Sequence, residues 1–304
     1  MSIRIGDVLE RLDAEGLRYA TSAPRDTALC GPVDWWSFSG EGLAFYSYMD
    51  PEPLRRWLGA AGSALIICRE EMREQVEGGP FLFTDAPRTA FALAATLFVP
   101  PRRPGIHPSA VIDPEAQIGA NACIGPFAVI GAARIGDDAC ILDHVTITDH
   151  VTLGDGATIM SGARIGLDGL GSVVDTRGRN RLFPHFASVE AGDGLVVGPN
   201  SVVSRGVLTP TRIGHHSHFS ACCSVGHNVV VGDGVFCAPG VSIAGRAQIG
   251  DGCIIGHGSV VNDALVIPPD TLVGGNVAVT RAPTEPGQTI VGVPARNIGR
   301  IFRG

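Results

Sequence analysis

No apolar run in the 304-residue chain approaches the roughly 20 residues that a membrane-spanning helix needs, so no transmembrane segment is expected. Positive charge is scarce as well: 23 Lys and Arg stand against 30 Asp and Glu, a net charge of −7. That balance argues against a nucleic-acid binder held by backbone phosphates. The eight cysteines form no CxxC pair and no disulfide framework, which points to a reducing cytoplasm rather than a stapled extracellular scaffold. The opening stretch MSIRIGDVLERL contains acids and reads as a short amphipathic helix, not a signal peptide. Aromatic residues are only 6% of the chain. Several crowd into one stretch (Trp35, Trp36, Phe38, Phe45, Tyr46), where most are expected in a core.

Glycine, by contrast, is plentiful at 41 residues, and much of it follows a repeat. From Ile213 to Val273 an apolar residue occupies every sixth position, through Phe219, Val225, Val231, Cys237, Ile243, Ile249, Ile255, Val261 and Ile267. Neither a helix nor a plain strand repeats at six. Three short strands and three tight turns do, returning the chain above itself about every eighteen residues. A helical solenoid is incompatible with this glycine density. The expected fold class is therefore mainly β, a left-handed parallel β-helix of hexapeptide repeats preceded by a small α/β domain. Hexads start at Ile106, slip by one residue after Ile130, and resume at Ile135. Leu167 to about Ser188 breaks the pattern and must be extruded, and Val207–Arg212 holds a smaller insertion.

Residues 1–99 do not repeat. Asp50-Pro51 is a helix start, Ala64–Cys68 and Phe81–Thr84 read as strands, and Arg88–Phe98 reads as a helix. Pro100 to Gly105 reads as a stiff linker. The β-helix is expected over 106–280, with a C-terminal tail over 281–304. Apolar residues on the outward faces predict a closed homotrimer.

The eighteen-residue ruler locates candidate chemistry. Successive coils lie about 4.8 Å apart, so His227 at an outward corner has Gly245 stacked directly above it. The missing side chain leaves a slot beside the imidazole and bares a backbone N–H. A neutral imidazole next to an open N–H combines a general base with an oxyanion donor, suited to acyl transfer to an amine or hydroxyl. Geometry alone leaves open that His227 is a solvated surface residue. His215, His216 and His218 cluster, but no carboxylate or ligand spacing accompanies them, so no metal site is expected. His257 is a corner residue on another edge. Arg205, Arg212 and Arg246 suit either phosphates or solvent. Gly166-Leu167-Asp168-Gly169-Leu170-Gly171 lacks the strand-to-helix context of a dinucleotide loop.

Several segments together resemble the UDP-3-O-(3-hydroxyacyl)glucosamine N-acyltransferase family. They are Gly42-Leu43-Ala44-Phe45, Gly105-Ile106-His107-Pro108-Ser109-Ala110-Val111-Ile112, Asp168-Gly169-Leu170-Gly171, Gly226-His227-Asn228-Val229-Val230-Val231-Gly232-Asp233 and Thr284-Glu285-Pro286-Gly287. The resemblance implies that His227 is the general base and Gly245 the oxyanion amide, in clefts between trimer subunits. It implies that the N-terminal domain holds a nucleotide base through Phe45 or its neighbour Tyr46. It also sets Asp168, His185, Arg205, Asn228, Arg246 and Asp263 toward the substrate. The implied partners are a nucleotide-linked amino sugar and a thioester donor, with no permanently bound cofactor. Departures are visible: Ser47-Tyr48-Met49-Asp50-Pro51 replaces Ser-Asn-Pro-Lys-Tyr, Ala264 stands at a second family histidine, Ser204-Arg205-Gly206 replaces Asp-Arg-Gly, and His185 replaces a glutamine. The ending Ile290-Val291-Gly292-Val293-Pro294-Ala295-Arg296 looks like coenzyme A-dependent hexapeptide acetyltransferases, so the donor is acyl-coenzyme A or acyl carrier protein. Alternatives are the lipid A reaction itself, a non-catalytic nucleotide-sugar-binding β-helix, and a γ-type carbonic anhydrase.

Overall fold

In the computed structural model the described residues are 3–34, 41–58, 64–76, 78–100, 102–169, 171–292 and 296–297. Trp35, Trp36, Phe38, Leu170, Val293, Pro294 and Ala295 lie outside them. The chain divides into two compact units, Met1–Pro101 and Arg102–Gly304.

The first unit is built on a four-stranded sheet. Gly42–Tyr46, Ala64–Arg69 and Phe81–Thr84 run parallel, and Ala20–Thr21 pairs antiparallel to the last. Both faces are covered, which is why Ala64–Cys68 is apolar without alternation. Leu65 and Ile67 pack with Ile5, Val8 and Leu12 of helix Ile5–Ala14 and with Ala90 and Ala94 of helix Pro87–Ala95. Ile66 and Cys68 face the other way, toward Tyr46, Leu54, Met72 and Phe81. The predicted helix over Arg88–Phe98 is an α-helix to Ala95 and a 3₁₀ turn over Thr96–Phe98.

The second unit is a left-handed parallel β-helix whose three faces are sheets of 11, 9 and 8 strands. Most strands are two residues long, such as Cys140–Ile141 on the first face, Ser224–Val225 on the second and Val230–Val231 on the third. Successive side chains of a strand point to opposite sides, so one residue of each pair enters the core. The sixfold series is that inward set: Val225, Ile243 and Val261 stack in register on the second face, each at most 1% exposed. Small residues fill the corners. Among them Ser217 and Ser259 are fully buried, each hydroxyl donating to a carbonyl of the next coil and accepting an N–H.

The one-residue slip appears as register. Ile130 pairs with Ile147, 17 residues on, whereas Ile147 pairs with Ile165, 18 on. Across the extrusion Leu153 pairs with Ala191, 38 on, and across the smaller insertion Ala191 pairs with Ile213, 22 on. The extrusion carries its own antiparallel hairpin, Ser172–Val174 with Asn180–Leu182. The β-helix starts and ends differently from the composition. Gly105, the last residue of the expected linker, already pairs with Cys123 beside the expected first pair Ile106–Ile124. Within the expected tail, Thr289–Val291 adds in parallel to Leu272–Val273, and Arg296–Asn297 folds back antiparallel on it.

Candidate active site

One edge of the β-helix, where the chain turns from the second face to the third, carries four of the predicted residues in successive coils. Each stands two places after an inward residue of the stack Val203, Val225, Ile243, Val261. They are Arg205, His227, Gly245 and Asp263. Register alone brings them together, and the eighteen-residue stacking of Gly245 on His227 is realised: a Cβ on Gly245 would lie 2.7 Å from both Cε1 and Nε2 of His227. Glycine there is a steric requirement of the imidazole.

The tautomer of His227 follows from its neighbour. Asn228 takes the left-handed conformation, φ 58°, which asparagine tolerates, and its side chain reaches down to the smaller insertion. Its Nδ2 donates to the Thr209 carbonyl at 2.5 Å and to Thr209 Oγ1 at 2.8 Å, while its Oδ1 accepts the Val207 N–H at 3.1 Å. A carbonyl only accepts and an amide N–H only donates, so the side-chain amide has one possible orientation. Oδ1 then faces His227 Nδ1 at 3.1 Å, and Nδ1 must carry the hydrogen. In the neutral ring the lone pair falls on Nε2, the atom turned toward Gly245. Thr211, fully buried, accepts the Asn228 backbone N–H at 2.9 Å and fixes the turn. The roles of Val207, Thr209 and Thr211 were not readable beforehand; the available signal was that the insertion falls one coil below the histidine.

His257 provides an internal comparison. It too has a glycine one coil above, Gly275, whose Cβ would lie 2.5 Å from the ring. There Nε2 accepts from Asn276 Nδ2 at 3.3 Å, so its lone pair is already engaged. Of these two histidines with a glycine one coil above, His227 has its Nε2 uncommitted among the described residues.

The base of the extrusion flanks His227 on the side away from Gly245. A Cβ on Gly169 would lie 3.0 Å from His185 Nε2 and 3.3 Å from His227 Cδ2, and the two imidazoles meet edge-to-face with centroids 5.4 Å apart. His185 is buried and its Nδ1 bonds the Phe183 carbonyl at 2.8 Å. Its Nε2 is buried without a hydrogen-bond partner among the described residues. Asp168 is exposed beside it, with Oδ1 3.8 Å from Arg205 Nε. Arg205 itself is largely buried, donating to the Gly166 and Asp149 carbonyls at 2.9 Å each. Its guanidinium thus ties down the root of the extrusion. Arg246 pairs with Asp263, and Arg212 pairs with Glu190 at 3.1 Å on the third face. His215 bonds the Asp193 N–H at 3.0 Å, and burial holds His218 below the ordinary imidazole range. Among the described residues no three His, Cys, Asp or Glu are grouped so as to hold a metal ion.

Phe45 and Tyr46 separate, because neighbours in a strand face opposite ways. Phe45 lines a pocket of about 590 Å³ in the first unit together with Pro32, Asp34, Tyr48, Arg88 and Phe91, and its ring lies 4.8 Å from that of Phe91. Tyr46 points into the opposite core, 1% exposed, donating its hydroxyl to the Asp50 carbonyl. The aromatics that join Phe45 at the pocket are Tyr48 and Phe91.

These features define a hexapeptide-repeat protein of the left-handed β-helix class, with a histidine–glycine pair at one edge. The model of the bacterial transferase hexapeptide family, six repeats, matches residues 228–263. Among curated proteins the chain is similar to UDP-3-O-acylglucosamine N-acyltransferase 2 of Legionella pneumophila (strain Lens), 35% identical over 88 residues, covering 29% of this chain and 25% of that protein. It is also 32% identical over 123 residues to a probable mitochondrial UDP-3-O-acylglucosamine N-acyltransferase 2 of Arabidopsis thaliana, covering 40% of each. The chain thus matches between a quarter and two fifths of the length of these relatives. Among solved structures, the UDP-N-acetylglucosamine O-acyltransferase of Moraxella catarrhalis superposes with a TM-score of 0.58 at 29% identity, covering 64% of this chain and 74% of that one.

Proposed function

We propose that the protein is an N-acyltransferase that moves an acyl group from a thioester to the amine of a nucleotide-linked amino sugar. The observation that carries this reading is the orientation of His227: Asn228 fixes the hydrogen on Nδ1, so the Nε2 lone pair faces the slot beneath the Gly245 N–H. In the reaction Nε2 takes a proton from the amine as its nitrogen attacks the thioester carbonyl carbon. The Gly245 N–H donates to the oxyanion of the tetrahedral intermediate. Collapse breaks the carbon–sulfur bond, and the imidazolium returns the proton to the departing thiolate. The products are an amide and a free thiol.

The names of the matched relatives support a nucleotide-sugar acceptor, and the Phe45–Phe91 pocket, with Tyr48 and Arg88 at its rim, suits a planar base. The donor is acyl-coenzyme A or acyl carrier protein, the acting form a homotrimer, and the compartment the cytoplasm. Asp168, His185 and Asn228 surround the acceptor. An O-acyl transfer is the second reading, favoured by the solved O-acyltransferase relative, because the same base and amide serve a hydroxyl.

The test pairs acyl-coenzyme A and acyl-carrier thioesters with UDP-, dTDP- and GDP-linked amino sugars, following thiol release and product mass. Thiol release with an alkali-stable amide product is expected, and an ester product moves the assignment to the second reading. His227→Ala should lower turnover by about 10²–10⁴-fold with the fold intact; a fully active variant sinks the mechanism.

A further inference from the structure

The edges of this β-helix follow a capping rule. Where a coil turns from the third face to the first, backbone N–H groups donate to a carboxylate from the coil above: Ala120 to Asp137 at 2.7 Å, Asp155 to Asp193 at 2.9 Å, and Asp233 to Asp251 at 2.9 Å. The edge of His227 obeys the same rule lower down, where the Ala132 N–H donates to Asp149 Oδ1 at 2.9 Å. Ala132 and Asp149 hold the same place in their coils as Gly245 and Asp263 hold in theirs, two residues beyond the inward residue of the second face. By this rule Asp263 should cap Gly245. It is within reach, for its Oδ1 lies 3.2 Å from where a Gly245 Cβ would stand. Yet among the described residues the Gly245 N–H donates to no acceptor, and the Asp263 carboxylate is instead turned to the guanidinium of Arg246.

Arg246 is placed for this. It follows Gly245, its N–H donates to the His227 carbonyl at 2.8 Å, and its backbone is left-handed at φ 62°. That conformation is costly for a long side chain without a compensating contact. We infer that the Arg246–Asp263 pair keeps the Gly245 amide open: Arg246 holds off the one carboxylate that the fold would otherwise deliver to that N–H. The inference rests on the reading of His227 and Gly245 as the catalytic pair. Both residues act through Gly245, so they are positioning residues. Released from Arg246, Asp263 fills the N–H and also sets a negative charge where the oxyanion must form.

The test compares Arg246→Ala with the double variant Arg246→Ala/Asp263→Ala in the full chain. The single variant should lose about a hundredfold in kcat, the scale of losing an oxyanion donor. The double variant should regain at least tenfold of it, because no carboxylate remains to compete. A double variant as slow as the single one would mean that Arg246 works by holding substrate, and overturns the inference; so would an unimpaired single variant. A second measurement needs no turnover. With ¹⁵N-glycine labelling, the Gly245 amide proton should move downfield in Arg246→Ala and return in the double variant. An unmoved resonance overturns the inference. If the wild-type chain releases no thiol with any donor, the functional reading fails while the amide resonance still decides this one.

Discussion

At Asn228 a single amide side chain determines which nitrogen of the preceding residue, His227, is a base. Replacing it with alanine frees His227 to adopt either tautomer and strands the Val207 N–H and the Thr209 carbonyl. Asn228→Ala should therefore cost up to about a hundredfold in kcat, with about 1–3 kcal/mol of stability from the groups left unpaired, read by steady-state kinetics and denaturant unfolding. Gly245→Ala makes a different prediction. Its methyl would collide with the His227 ring at 2.7 Å, so activity should fall at least as far while the unfolding midpoint changes little, because a side chain rather than the backbone must give way. The His227–Gly245 stack was legible in the sequence because both lie within an unbroken run of hexads. The Asn228 bonds were not, since they depend on how six non-repeating residues fold beneath it. Tyr46 does not share the pocket with Phe45, because alternation along strand Gly42–Tyr46 turns the two rings to opposite faces.

Among the elements, two-residue strands gain stability from stacking rather than from their own propensity, and their corners need separate care. The corner carboxylates supply it. Asp251→Ala uncaps the Asp233 N–H and should lower stability by about 0.5–1.5 kcal/mol, detected as a shift in the denaturant midpoint without a change in slope. The faces, the one-residue slip and both insertions could be read from the period. The hairpin inside the extrusion could not: Ser172–Val174 and Asn180–Leu182 are three residues each, all exposed. Asp175 closes that turn by accepting the Arg177 and Arg179 N–H groups at 2.8 and 3.0 Å and pairing with Arg181. A carboxylate among arginines reads in a sequence as a solvated charge run, and only the folded turn reveals the anchor.

Across the whole molecule the buried cysteines, with Tyr19 and Tyr46 that burial also raises, give the alkaline pH response. Burial pushes the Cys68 thiol up to about 12, and it also raises Cys223 and takes Cys237 well above the ordinary range. Unfolded thiols ionise near 8.5, so above that pH the unfolded chain sheds protons that the folded chain retains. The stabilising effect is thus complete below about pH 8.5 and is lost as pH rises toward 12. Denaturant midpoints should fall progressively between pH 9 and 11, and Cys68→Ala should flatten the fall for the first unit. A native-state alkylation at pH 8 should modify exposed Cys222 while sparing Cys68 and Cys237; rapid loss of either buried thiol would contradict the packing.

The register jumps also bear on how such a chain changes length. Leu153 meets Ala191 38 residues on, and Ala191 meets Ile213 22 on, yet from Arg212 to Val261 every partner stands at 18. Surplus residues were expelled at corners, and the count restarted without error. Shifting a strand by one residue would turn its core side chains outward, so length changes are taken up between strands: as whole coils, as loops shed at an edge, or as a corner shortened by one residue, as after Ile130. Both loops border the coil below His227. Evolution in this architecture can therefore rewrite what lies around the histidine by lengthening a corner, while leaving the partners stacked above it where they were.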